Sequence, residues 1–240
     1  MTAKQATTRQ RAPADRWRSP AISRILRILS RFVSRVVERL EDRRLGIDTR
    51  GDHIILDASE VPEEVMRQCP DAGKYEPVRY SVLPVVLQYV APQDVFVDLG
   101  CGKGRALCYV SSRCHLKKAI GVEIAPGLAE IARRNAASIQ SATPLEVVEG
   151  DAAQVDVGEG TVYFLFSPFG EQTLKSVLHN IRQSLDANPR CVRILYLHPA
   201  HADVLDSCGW LVREDRVEIG AYVMLVWRSK SAVATPPRGG

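Results

Sequence analysis

Residues Val95 to Arg105 read VFVDLGCGKGR, an apolar run that ends in an acid and passes into three glycines spaced two apart. A short apolar run bounded by glycines is the pattern of a buried strand, and glycine-rich backbone directly after it is a strand-to-helix turn. Working outward, the same alternation repeats. Ala119–Ile124, Leu145–Glu149, Thr161–Phe166 and Cys191–His198 read as further strands, and Pro126–Gln140 and Glu171–Leu185 carry helical periodicity between them. Strands alternating with helices predict a parallel sheet with crossover connections. After Gly209 the rule changes, because the β-rich runs Trp210–Glu218 and Ala221–Trp227 are separated only by Ile219 and Gly220. No crossover helix fits there, so they predict an antiparallel hairpin. The expected fold is α/β, a doubly wound, mostly parallel seven-stranded sheet closed by a C-terminal antiparallel hairpin, with an N-terminal helical extension.

At 240 residues, 45% hydrophobic and 25% charged, the chain is long enough for one α/β core plus an extension. Its six cysteines form no CxxC pair and no metal-ligand spacing with the five histidines, so neither a disulfide framework nor a metal site is expected. A reducing, cytoplasmic setting is. The net charge of +4 hides an asymmetry: Met1–Arg50 holds 13 Lys/Arg against 5 Asp/Glu, and the remaining residues are net −4. A basic arm ahead of an acidic core speaks against a general nucleic-acid binder.

The arm divides in two. Residues 1–20 are polar and aperiodic and read as a disordered basic tail, as residues 229–240 read as a flexible tail. In Ala21–Leu45, Ile22, Ile25, Leu26, Leu29, Phe32, Val33, Val36, Val37 and Leu40 follow helical spacing, with Arg24, Arg27, Arg31, Arg35 and Arg39 on another face. This is a basic amphipathic helix ending near Gly46. It is expected to pack its apolar face on the domain, to dock on a membrane surface or a protein partner, or to serve as an organelle transit sequence, apart from any chemistry in residues 51–228.

Three ligands use a glycine turn after a strand. A dinucleotide fingerprint would need a third glycine at position 105, where Arg105 stands, and a P-loop would need a hydroxyl residue after Lys103, where Gly104 stands. What remains is D-x-G-x-G-x-G, formed by Asp98, Gly100, Gly102 and Gly104. It resembles the first motif of the class I, seven-strand S-adenosylmethionine-dependent methyltransferases, over roughly Tyr75 to Trp227.

That resemblance implies S-adenosylmethionine as cofactor. It gives Gly100, Cys101, Gly102 and Gly104 the cofactor's amino-acid end, Asp98 the ammonium group, Glu123 the ribose hydroxyls, and Asp151 with Ala152 the adenine. Each acid standing alone reads equally as a cap or a solvated charge, but one follows each of three successive strands. FSPFG, Phe166–Gly170, resembles the Asn/Asp/Ser-Pro-Pro-aromatic segment of amino-directed members with one proline missing. It implies Ser167, Pro168 and Phe169 beside the methyl acceptor, orienting a nitrogen; a plain turn with a buried Phe is the other reading.

YEPVRY, Tyr75–Tyr80, and the D-L-G-x-G-x-G-R turn resemble some seven-strand protein-lysine methyltransferases, which implies Tyr75 or Glu76 as a lid. His198 ends the fifth strand as a substrate contact or a structural residue. The expected activity is methyl transfer to a nucleophile, a protein lysine or small amine ahead of a nucleic acid. The alternative is a non-catalytic, cofactor-binding scaffold.

Overall fold

The computed structural model describes residues 20–50 and 75–230, with side chains from Val33 onward in the first segment. The predicted disordered tail, most of the C-terminal tail and Cys69 lie outside the described residues. The chain runs α1 (Pro20–Leu45), α2 (Leu83–Val86) continued by a 3-10 turn, β1 (Val95–Leu99), α3 (Arg105–Arg113), β2 (Lys118–Glu123), α4 (Pro126–Ser138), β3 (Leu145–Glu149), β4 (Val162–Phe166), α5 (Glu171–Ala187), β5 (Arg193–Leu197), α6 (Ala202–Asp206), β6 (Leu211–Ile219) and β7 (Tyr222–Ser229).

The seven strands form one sheet in the order β3-β2-β1-β4-β5-β7-β6. The first five are parallel, and β7 runs antiparallel to both β5 and β6. The predicted sheet and its closing hairpin are both present. Because β1 is central and covered on both faces, all five of its residues are buried, which is why its sequence, Asp98 excepted, is apolar without alternation. Its faces still divide the core. Val95, Val97 and Leu99 join Tyr163, Leu165 and α5 on one side, while Phe96 meets Phe164 and Leu107 of α3 on the other.

The order reverses beside β1, since the chain leaves it for β2 on one side and returns to β4 on the other. Ligands of open α/β sheets bind outside the carboxyl ends of the strands at such a switch point.

The second half of α1 docks on the domain, one of the placements expected for it. Its polar face, not its apolar one, meets the domain. Arg105, the first residue of α3 and 5% exposed, pairs with Glu38 and lies 3.8 Å from Asp42. Arg105 also donates to Thr49 Oγ1 at 2.7 Å and to the Val78 carbonyl at 2.9 Å, and lies over the Tyr80 ring. The Tyr80 hydroxyl donates to Asp42 at 2.6 Å. A buried guanidinium is tolerated only when its donors are taken up in this way, so the position that breaks the dinucleotide fingerprint is the one that fastens α1 to the core.

Candidate functional site

The glycine turn is built on left-handed backbone. Gly100, Gly102 and Gly104 have φ of 75°, 55° and 79°, a region costly for residues with a Cβ. Close packing adds a second reason for glycine. A Cβ at Gly100 would lie 2.3 Å from the Pro168 side chain, and one at Gly102 would lie 2.2 Å from the Tyr75 ring. Tyr75 and Pro168 therefore close on the turn from opposite parts of the sequence. The Tyr75 hydroxyl donates to the Thr49 carbonyl at 3.1 Å, so the ring bridges the segment after α1 and the turn.

Asp98 sits at the end of β1, 3% exposed. Its Oδ2 has no hydrogen-bond partner, and burial, followed by the nearby Glu123 carboxylate, pushes its pKa up to about 7. A buried carboxylate oxygen left unpartnered in a turn of bare backbone fits a cationic donor, and an ammonium group is one. Gly121, opposite Asp98 on β2, makes room for the Cys101 thiol, since a Cβ there would lie 2.8 Å from its sulfur. Cys101 is buried, and desolvation raises its pKa. It packs the turn against β2.

Glu123 ends β2, where one oxygen accepts from Gly102 N–H at 2.8 Å and the other from Ala125 N–H at 2.9 Å. Desolvation raises its pKa against those bonds. The carboxylate thus holds the glycine turn in shape, and its remaining lone pairs fit hydroxyl donors. Asp151 caps the turn after β3, accepting from Ala153 N–H at 2.9 Å and from Gln154, and Ala152 is buried beside it. Asp98, Glu123 and Asp151 stand after or at the end of three adjacent strands, at the same sheet edge.

At the end of β4, Ser167 has φ 41°, and at the end of β5 His198 has φ 51°; they are the positive-φ residues other than glycine among those described. The Ser167 hydroxyl donates to the His198 carbonyl at 2.5 Å, tying the two strained residues together. Backbone strain of this kind gathers at functional sites. Phe169 follows the other reading. It is 8% exposed and belongs to the core cluster, so its ring packs inward.

Sequence reasoning passed over the support behind the turn. Asn135 of α4 donates to the Lys103 carbonyl at 2.9 Å and to the Asp48 carbonyl at 3.1 Å, and accepts from Asp48 N–H. Lys103 Nζ donates to the Arg50 carbonyl at 2.5 Å. These are contacts between segments distant in the chain, and only the buried Asn inside a helix hinted at them.

Residues 96–188 match the methyltransferase-domain family, and the match spans the turn, all three acids and the β4 edge. Over those residues the chain is similar to a methyltransferase domain, on a sheet of the order described above. A protein-lysine N-methyltransferase of Saccharolobus islandicus is 32% identical over 105 residues, 44% of this chain and 56% of that protein. A carboxy-S-adenosyl-L-methionine synthase of Citrobacter koseri is 27% identical over 106 residues, 43% and 42% of the two chains. The chain thus spans about half the length of these curated relatives. Among solved structures, an RNA methyltransferase from Salinibacter ruber in complex with S-adenosyl-L-homocysteine is 22% identical, with a TM-score of 0.52 over 67% of this chain and 97% of that one. At that identity the likeness is one of fold. Outside residues 96–188, the Thr49 and Tyr75 contacts reach the glycine turn and the β6–β7 hairpin completes the sheet.

Proposed function

We propose that this chain is an S-adenosylmethionine-dependent methyltransferase acting on a nitrogen of a protein or small molecule. One observation carries the cofactor assignment: Asp98 Oδ2, buried and unpartnered, beside three left-handed glycines. Bound there, S-adenosylmethionine supplies an activated methyl on a sulfonium that is already a good leaving group. The chain's own residues then bind, orient and exclude water. Asp98 faces the cationic amino-acid end, Glu123 keeps the Gly102 backbone close to it, Asp151 shapes the wall beyond β3, and Tyr75 covers the turn.

The acceptor assignment rests on the β4 edge. Pro168 packs on Gly100, which brings Ser167 next to the glycine turn, and its carbonyl and hydroxyl are suited to accept from an incoming amine. A lysine amine near pKa ~10.4 has to shed a proton before it attacks. The net-acidic core favours amines over nucleic acid. That two relatives with different printed chemistry match similar lengths of this chain supports reading the shared part as cofactor handling, with the acceptor decided elsewhere.

Calorimetry with S-adenosylmethionine, followed by transfer of labelled methyl into a fractionated lysate, tests both halves. Saturable binding with label in protein or small amines is the expected result. Binding without transfer would leave a scaffold, and label confined to RNA would overturn the acceptor class.

A further inference from the structure

From Val33 onward, helix α1 is mounted with its apolar side outward. Val33, Val36, Val37 and Leu40 are 58%, 39%, 43% and 57% exposed, and with Val212 they are the exposed large hydrophobic residues among those described. The acids Glu38, Glu41 and Asp42 take the opposite part of the surface, engaged with Arg105, Arg113, Thr49 and Tyr80. A polar face spent on the domain leaves an apolar stripe without cover among the described residues, and in the sequence apolar residues continue at helical spacing through Leu29, Leu26 and Ile22.

Charge indicates what meets it. The helix carries seven arginines, Arg24 to Arg44, and the three acids that could offset them are those turned to the domain. Residues 1–35 hold nine Lys/Arg against one acid. Beside the stripe, Arg39, Arg43 and Arg50 line a cleft of about 210 Å³ with Asp42 and Ile47; Arg39 and Arg43 stand three residues beyond Val36 and Leu40, where helix neighbours border each other. A second copy would bring two strongly basic helices together. An acyl layer below anionic headgroups satisfies the apolar stripe and the arginine border at once.

We propose that α1 is a peripheral membrane anchor that lays its Val33–Val36–Leu40 stripe into the surface of an anionic bilayer, with Arg39 and Arg43 meeting lipid phosphates and the methyltransferase domain riding on the far side. Among the described residues no helix is long and apolar enough to cross a membrane, so the attachment is one of surface binding. This inference stands independently of the methyl-transfer reading.

The test is sedimentation of the full chain with vesicles of phosphatidylcholine alone or with phosphatidylglycerol, at low and high salt. Binding is expected only with phosphatidylglycerol, falling at least tenfold when salt rises from about 0.05 to 0.5 M as the Debye length contracts. The exposed triple variant Val33→Glu, Val36→Glu, Leu40→Glu should abolish binding with an unchanged melting temperature. Arg39→Glu with Arg43→Glu should weaken it by more than tenfold, since each basic residue at such a surface accounts for roughly fivefold. The anchor is overturned if the wild type ignores phosphatidylglycerol vesicles. It is also overturned if the triple variant melts lower, which would mean the chain covers its own stripe, or turns a lipid-free dimer into a monomer, which would mean a second copy does.

Discussion

The Tyr75 ring lies across Gly102 so closely that a Cβ on the glycine would stand 2.2 Å from ring carbon Cε2. Gly102→Ala must therefore push the ring away as well as accept a φ of 55°. The expected loss of S-adenosylmethionine affinity is more than tenfold by calorimetry. If the collision is the larger part, Tyr75→Ala and Gly102→Ala together should cost less than the sum of the two single changes, as contacting residues do in a double-mutant cycle. Additive losses would mean that backbone strain alone accounts for the effect.

Asp98 sets a pH dependence. Its pKa is raised in the folded state, so the folded chain holds that proton more tightly than the unfolded one. The associated stability is complete below about pH 4 and is lost as pH rises toward about 7. Cofactor binding has the opposite sign, because an ammonium group needs the ionised carboxylate. Affinity should fall by about tenfold per pH unit below pH 7 and level off above it, with proton release on binding seen as buffer-dependent calorimetric heats. Asp98→Asn should bind weakly and without that slope.

Arg105 is the fastening point of α1. Arg105→Met leaves Asp42 buried without its cationic partner, and changes of that kind cost about 3–5 kcal/mol; a melting temperature lower by many degrees is expected. Deletion through Gly46 should destabilise the chain similarly and loosen Tyr75 by removing the helix that positions Thr49. Deletion through Phe32, by contrast, should leave the melting temperature close to that of the full chain.

Ser167 holds φ 41° and its hydroxyl spans to the His198 carbonyl. Ser167→Gly relaxes the backbone, so the variant should be at least as stable in thermal melts despite losing one hydrogen bond. Label transfer in lysate should nonetheless drop by tenfold or more with cofactor affinity unchanged. Retained transfer would show that the Ser167 hydroxyl plays no part in holding the acceptor.

How far a residue's partner lies along the chain governed what could be read from the sequence. β1, its glycine turn, the parallel alternation and the β6–β7 hairpin are local patterns, and Asp98, Glu123 and Asp151 stand at strand ends that follow from those patterns. The sequence also contained an amphipathic α1, because periodicity belongs to one helix. Which side of that helix faced inward was decided by tertiary structure alone. Arg105 is buried at the start of α3 and draws Glu38 and Asp42 to itself, and desolvating a guanidinium without acidic partners costs more than leaving a few valines and a leucine in water. For the same reason the packing of Tyr75 on Gly102 was not legible in a tyrosine 23 residues ahead of Asp98, nor the buried ring of Phe169 in a Pro-Phe pair. Rotamer and burial depend on what the rest of the chain brings to that edge, and Thr49, Asn135 and Pro168 reach the glycine turn only when the sheet has formed.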